Sequence, residues 1–151
     1  MDENKQGDMN FSIEWLGNVL GNMEHTLSTE TYVPLMKNCS DYHYRINSMD
    51  QILAKYVDDL DGFIHFLTNE WGWIISIDEQ KDIIIADENK DFCVCPLTHS
   101  MGDGNVSKVL CHCSEGFAER MFSKILGKEV TATVIRSILR GDKSCAYQIN
   151  I

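Results

Sequence analysis

The order of apolar and polar residues in this 151-residue chain predicts an α+β fold. N-terminal helices pack on an antiparallel sheet, with a helix and a closing β-hairpin at the C-terminus. Three observations predict it. Apolar residues recur at helical spacing up to Trp71. The texture changes at Gly72 to short apolar runs separated by polar turns. Near the end, a helix stopped by a glycine is followed by two strand-like runs around Arg140-Gly141-Asp142-Lys143.

Residues 1–10 are polar and read as a disordered tail, leaving 11–151 as one domain with a helical half (11–71) and a half of sheet, helix and hairpin (72–151). From Phe11 to about Leu27, the spacing of Ile13, Leu16, Leu20 and Met23 predicts an amphipathic helix. A second begins near Ser28 or Thr29, carries Leu35 and Met36, and ends before Cys39. Ser48 followed by Gln51 has the form of a capping box, opening a helix over Ile52, Leu53, Tyr56 and Val57. Phe63, Ile64, Phe66 and Leu67 give a buried face to a short helix from Asp61 to Glu70.

Strands are expected at 73–77, 82–86 and 91–97, joined by Asp78-Glu79-Gln80-Lys81 and Asp87-Glu88-Asn89-Lys90 as turns. A Gly-rich loop, Met101-Gly102-Asp103-Gly104-Asn105, leads to a fourth strand from Ser107 to Cys113. Ser114 then caps a helix that runs to Leu126 and stops at Gly127. Val130 to Leu139 and Ser144 to Ile151 form the hairpin.

A chain this long buries roughly two-thirds of its unfolded surface, so neither disulfides nor a metal are needed merely to fold. The net charge of −10 excludes a nucleic-acid partner, because no window is rich enough in Lys and Arg to displace phosphate counterions. An acidic membrane surface repels the chain for the same reason, and no apolar run is long enough to insert in a bilayer. The acidic N-terminus shows no signal peptide, so a cytoplasmic, reducing location is expected, and the sequons at Asn38 and Asn105 carry no meaning there.

Four of the six cysteines fall within 21 positions, as Cys93-Val94-Cys95 and Cys111-His112-Cys113. On strands, residues two apart share a face, so neighbouring strands would let Cys93, Cys95, Cys111 and Cys113 converge. Zinc takes four thiolates tetrahedrally at about 2.3 Å, and an iron–sulfur cluster also accepts four. One residue between the cysteines, rather than two, departs from the usual zinc knuckle. A reduced set with His112 or His99 is a variant of the same site. A second reading makes Cys113 or Cys111 a nucleophile. Cys113 precedes a helix start that favours a thiolate, and Glu115 or Glu119 stands nearby as an acid–base partner or a helix cap. A third leaves the thiols as small buried apolar groups without a ligand.

Tyr42, Tyr44 and Arg45 combine phenols and a guanidinium in an expected loop, able to hold a ligand carboxylate; packing of the rings on the core is the plainer reading. His65, Trp71 and Trp73 read as core. Asp58, Asp59 and Asp61 lack calcium-loop spacing, and Gly102-Asp103-Gly104 lacks the Gly-Lys-Ser/Thr of a phosphate loop.

The last third, from Cys111-His112-Cys113-Ser114-Glu115-Gly116-Phe117 to Gly141, Asp142, Cys145, Tyr147 and Ile149, resembles the four-vinyl-reductase superfamily of small-molecule-binding domains. Ser137 and Val134 stand where that superfamily often has a cysteine and an acid. The paired cysteines, with Pro96 after the first pair, resemble a cysteine-rich bacterial branch near the L-2-amino-thiazoline-4-carboxylic acid hydrolase family. The resemblance implies helices on an antiparallel sheet, an apolar cavity for a small apolar or heterocyclic ligand, and often a homodimer. Together with the paired cysteines, the expected function is a cytosolic small-molecule-binding domain with a cysteine-rich, zinc-binding site. The alternative is a hydrolase in which Cys113 or Cys111 attacks a cyclic amidine carbon while Glu115 donates a proton.

Overall fold

The structure, a computed structural model, describes residues 3–102 and 106–151. Asp103, Gly104 and Asn105 of the expected Gly-rich loop lie outside the described residues. Among the described residues, six α-helices and four strands follow one another: α1 (Glu3–Thr26), α2 (Thr29–Ile46), α3 (Met49–Leu53), α4 (Leu60–Glu70), β1 (Ile74–Ile77), β2 (Ile83–Asp87), α5 (Pro96–Met101), α6 (Cys111–Leu126), β3 (Thr131–Arg136) and β4 (Ala146–Asn150). Helices in front of a sheet, then a helix and a closing hairpin, is the α+β order that the sequence predicts.

The strands form one antiparallel sheet in the order β1-β2-β4-β3. Ile84 pairs with Ile149 and Ala86 with Tyr147 across β2 and β4, while Ala132 pairs with Ile149 and Val134 with Tyr147 across β3 and β4. Alternation sends all six of these side chains to one buried face. Against it lies α6, whose Ala118, Met121, Phe122 and Ile125 recur at helical spacing and are fully or nearly fully buried. Phe63 and Leu67 of α4 and Leu53 of α3 close the same core.

Helix α2 packs on the other side of α6 through Met36, Ser40 and Tyr44, one turn apart each. Gly116 makes that approach close: a Cβ there would stand 2.3 Å from the Lys37 carbonyl oxygen. Asp59 caps α4 by accepting the Gly62 N–H at 2.9 Å, and Gly127 ends α6 with a positive φ of 63°. Helix α1 joins α2 and the segment before α6 in a smaller apolar cluster of Leu20, Met36, Val109 and Leu110.

The structure differs from the sequence reading at five places. Residues 3–10, read as a tail, are the first turns of α1. Tyr42 to Arg45, read as a loop, continue α2, because Tyr44 extends its buried stripe. Ser48 makes no side-chain cap; its backbone is left-handed, with φ 53°. Residues 91–97 are not a strand: an irregular segment carries Cys93 and Cys95 into α5, which opens at Pro96. Residues 107–113 are a 3-10 turn at Lys108–Leu110 and the start of α6. Neither segment joins the sheet: the open edge of β3 is covered by side chains of Glu115, Glu119, Lys37 and Arg140 rather than by a further strand.

Candidate functional site

Gly72 turns the chain from α4 into β1 with a φ of 72°, a left-handed conformation that suits glycine. The turn brings the flanking Trp71 and Trp73 rings to 5.5 Å of one another. The segment after β2 is tied to this corner. Asn89 donates to the Gly72 carbonyl at 3.2 Å, and Lys90 Nζ to the Trp71 carbonyl at 2.9 Å. Facing the corner are Phe117 and Met121 of α6, His43 of α2, and Tyr147, whose ring stacks on Trp73 at 6.2 Å. Between these groups is a cavity of about 310 Å³, walled mainly by apolar and aromatic side chains.

Glu88 stands at its end. The inward alternation Ile84, Ala86 continues to this residue, and its N–H donates to the Cys145 carbonyl at 2.9 Å. The side chain is only 5% exposed. Tyr147 Oη donates to Oε1 at 2.7 Å, while Oε2 is buried without a hydrogen-bond partner. Burial disfavours the carboxylate and pushes its pKa up to about 7; the Tyr147 hydrogen bond works against that shift, and the nearby Cys93 and Asp87 add to it. Burial lifts the Tyr147 phenol well above its ordinary value.

Behind Glu88 is a smaller void of about 20 Å³, room for one water, bordered by Cys93, Cys95, Cys111, Cys145 and Ser137. The Cys93 and Cys145 thiols influence one another. The contact with Cys145 lowers the Cys93 pKa, assisted by Thr98 Oγ1 at 3.4 Å, and the same contact raises that of Cys145. Cys111 Sγ and Ser137 Oγ are 3.1 Å apart. Burial raises the Cys95 and Cys111 thiols, and takes Cys113 up to about 11.

The four-thiolate zinc or iron–sulfur site does not fit this arrangement. Successive helical residues turn by about 100°, so Cys111 and Cys113, two apart in α6, point in nearly opposite directions. Cys93, Cys95 and Cys111 border the small void, whereas Cys113 does not and packs, as Cys95 also does, against the cluster around α1. Among the described residues, no group of three or more His, Cys, Asp or Glu side chains is arranged to hold a metal ion. Cys113 does line the aromatic cavity. Glu115, its expected acid partner, is 3% exposed and held by other groups: the Val134 N–H at 2.9 Å and His112 Nδ1 at 2.8 Å.

Tyr42, Tyr44 and Arg45 do not converge on a ligand. Tyr42 is exposed, Arg45 pairs with Asp41 one turn back at 2.7 Å, and Tyr44 points inward and donates to Asp50 at 2.9 Å. Their neighbour His43 reaches the cavity, its ring 4.8 Å from that of Phe117. The site residue that sequence reasoning missed is Glu88. It lies in a run of charged residues that normally marks a solvated turn, although the alternation through Ile84 and Ala86 points it inward.

The class defined here is an α+β domain whose helices and antiparallel sheet enclose an aromatic cavity with a buried acid at one end. The chain belongs to the family of unknown function DUF6144, whose model matches residues 1–151. Two solved structures share the fold. A trafficking protein particle complex subunit 3 from Naegleria fowleri, covalently bound to palmitic acid, superposes with a TM-score of 0.52 at 8% identity, over 93% of this chain and 95% of that one. The phenol-responsive sensory domain of the transcription activator PoxR, with phenol, gives 0.50 at 15% identity, over 91% and 73%. No curated protein matches the chain in sequence. No described helix is long and apolar enough to cross a membrane.

Proposed function

We propose that this chain is a small-molecule-binding domain that takes a compact apolar or aromatic ligand between Trp71, Trp73, Phe117 and Tyr147. The observation that carries the reading is the cavity of about 310 Å³ with aromatic walls and one buried polar end. Preformed ligand sites combine these features: apolar surface supplies affinity, and a few fixed polar atoms set orientation. Two proteins of this fold hold small apolar molecules, palmitic acid in one and phenol in the other. At this identity they share the fold alone, so the cavity bears the argument. The resemblance to the four-vinyl-reductase superfamily supports the same reading.

Two of the three tryptophans line the cavity and Trp15 does not, so Trp15→Phe leaves a protein whose tryptophan emission reports the site. Titration with ethylbenzene, a neutral probe, is expected to change that emission saturably and to raise Tm. Val94→Trp, at the exposed rim, is expected to abolish both responses by filling the entrance. No saturable response, or one indifferent to Val94→Trp, would remove the cavity from consideration.

A further inference from the structure

Glu88, which lines the aromatic cavity, carries an acceptor that the protein itself does not satisfy. Glu88 Oε1 is engaged by Tyr147, but Oε2 is buried and unpartnered. An unpaired buried carboxylate oxygen is costly, and native folds seldom leave one without a use. We propose that the ligand of this cavity is a small aromatic molecule bearing a protonated nitrogen, which donates to the Glu88 carboxylate while its ring lies among Trp71, Trp73 and Phe117. The proposal rests on the cavity reading above and names the class of ligand.

The charges around Glu88 favour a cation over a neutral donor. Asp87, its neighbour, is occupied by Arg136 at 2.7 Å and by the Ser144 hydroxyl at 3.0 Å. Lys90 is the cation close to Glu88, and its ammonium is directed to the Trp71 carbonyl. Burial lowers the pKa of His43, favouring the neutral imidazole on the α2 side. Cys145 and Tyr147 of the β4 side are held protonated, and Cys93, the acidic member of its pair, adds negative charge when ionised. A ligand cation supplies the missing counter-charge through a charge-assisted hydrogen bond. The aromatic walls act in the same sense, since ring faces attract cations, and more strongly when water is excluded.

Three probes of nearly equal shape separate the contributions: phenethylamine, 2-phenylethanol and propylbenzene, titrated by calorimetry at pH 8, where an alkylammonium stays charged. Phenethylamine is expected to bind about tenfold or more tightly than propylbenzene, with the alcohol between them. Glu88→Gln, which keeps an acceptor for Tyr147, is expected to erase the amine's advantage and to leave propylbenzene binding intact. Lowering the pH to 5.5 is expected to weaken amine binding in the unmodified protein, because protonation of Glu88 removes its charge. Equal affinities for amine and hydrocarbon, or a preference that survives in Glu88→Gln, would overturn the proposal while leaving the cavity reading in place. Failure of all three probes to bind would overturn both. If Glu88→Gln does not fold, the pH series decides alone: amine affinity unchanged from pH 8 to 5.5 overturns the proposal.

Discussion

The carboxylate of Glu115, on α6, accepts the backbone N–H of Val134, on β3, at 2.9 Å. Strand β3 is an edge of the sheet, and its outward N–H and C=O groups have no strand to pair with. Side chains take that place. Glu119 accepts from Ala132 N–H at 2.9 Å, Lys37 Nζ donates to the Ala132 carbonyl at 3.1 Å, and Arg140 donates to that of Val134 at 3.1 Å. The acid that sequence spacing offered as a catalytic partner therefore covers a sheet edge.

Loss of that cover should be visible in stability. Glu115→Ala leaves a buried N–H unpaired and removes a partner of His112 and Lys37, which should cost about 2 kcal/mol or more in denaturant unfolding. The pH dependence has a definite sign. Burial acts to raise the Glu115 pKa, but the hydrogen bonds from His112 and Val134 and the nearby Lys37 outweigh it and hold the pKa below the ordinary 4.5. A folded pKa below the unfolded one contributes stability that is present above about pH 4.5 and lost as the pH falls through the folded value. Glu115→Gln, which keeps an acceptor, should flatten that acid limb. An unchanged limb in Glu115→Gln would assign it to other carboxylates.

The helix pair α2–α6 turns on one missing methyl group. A Cβ at Gly116 would lie 2.3 Å from the Lys37 carbonyl oxygen and 2.7 Å from its Cα, both backbone atoms that cannot rotate away. Gly116→Ala should therefore force the helices apart and destabilise by roughly 3 kcal/mol, although alanine is the better helix former. Gly21→Ala, in α1 with open space around its Cβ position, should be neutral or stabilising. Chemical denaturation of the two variants side by side tests the contrast.

Among the five cysteines from Cys93 to Cys145, thiol labelling should favour Cys93. Its contact with Cys145 stabilises the thiolate, and its side chain is only partly buried, whereas burial keeps Cys95, Cys111 and Cys113 protonated. Brief alkylation with iodoacetamide at pH 6, read by peptide mass spectrometry, should modify Cys93 ahead of these three and of Cys145. Cys145→Ala should slow that reaction by removing the neighbouring thiol that lowers the Cys93 pKa. Preferential modification of Cys113 would instead revive the nucleophile expected from its place near a helix start.

How far the sequence could be read depends on whether each signal is local. Helix α4, strands β1 and β2, the hairpin and the Gly127 stop follow from spacing and turn residues within a few positions. Cys93-Val94-Cys95 shows why the expected third and fourth strands fail. Its side chains do alternate between half-buried and exposed, as in a strand, yet a strand exists only where a neighbour offers a ladder. That depends on the whole sheet. Pro96 was the local counter-signal, since proline suits the first turn of a helix. Tyr44 was hidden differently: its stripe with Met36 is interrupted by Ser40, a polar residue that is buried because it packs beside Gly116 and donates to the Lys37 carbonyl. Three of the four clustered cysteines, Cys93, Cys95 and Cys111, border the small void that Glu88 also lines. The acid itself was obscured by the charged residues around it.

Glu88 should leave a signature in stability with a sign opposite to that of Glu115. Burial raises its folded pKa from 4.5 to about 7, so the native state holds the proton more tightly than the unfolded chain does. Its contribution is then fully present below about pH 4.5 and is lost as the pH rises toward 7, by roughly 3 kcal/mol over the whole window. Glu88→Gln removes the titration and keeps an acceptor for the Tyr147 hydroxyl. The variant should therefore match the unmodified protein near pH 4.5 and become the more stable of the two above pH 7. Tyr147→Phe should weaken both partners, because it strips Oε1 of its donor and leaves the whole carboxylate unpaired. Urea unfolding of the three proteins at intervals from pH 4.5 to 8 tests this. Parallel curves for Glu88→Gln and the unmodified protein would mean that solvent reaches the carboxylate, and that its orphaned oxygen is no anchor for a ligand.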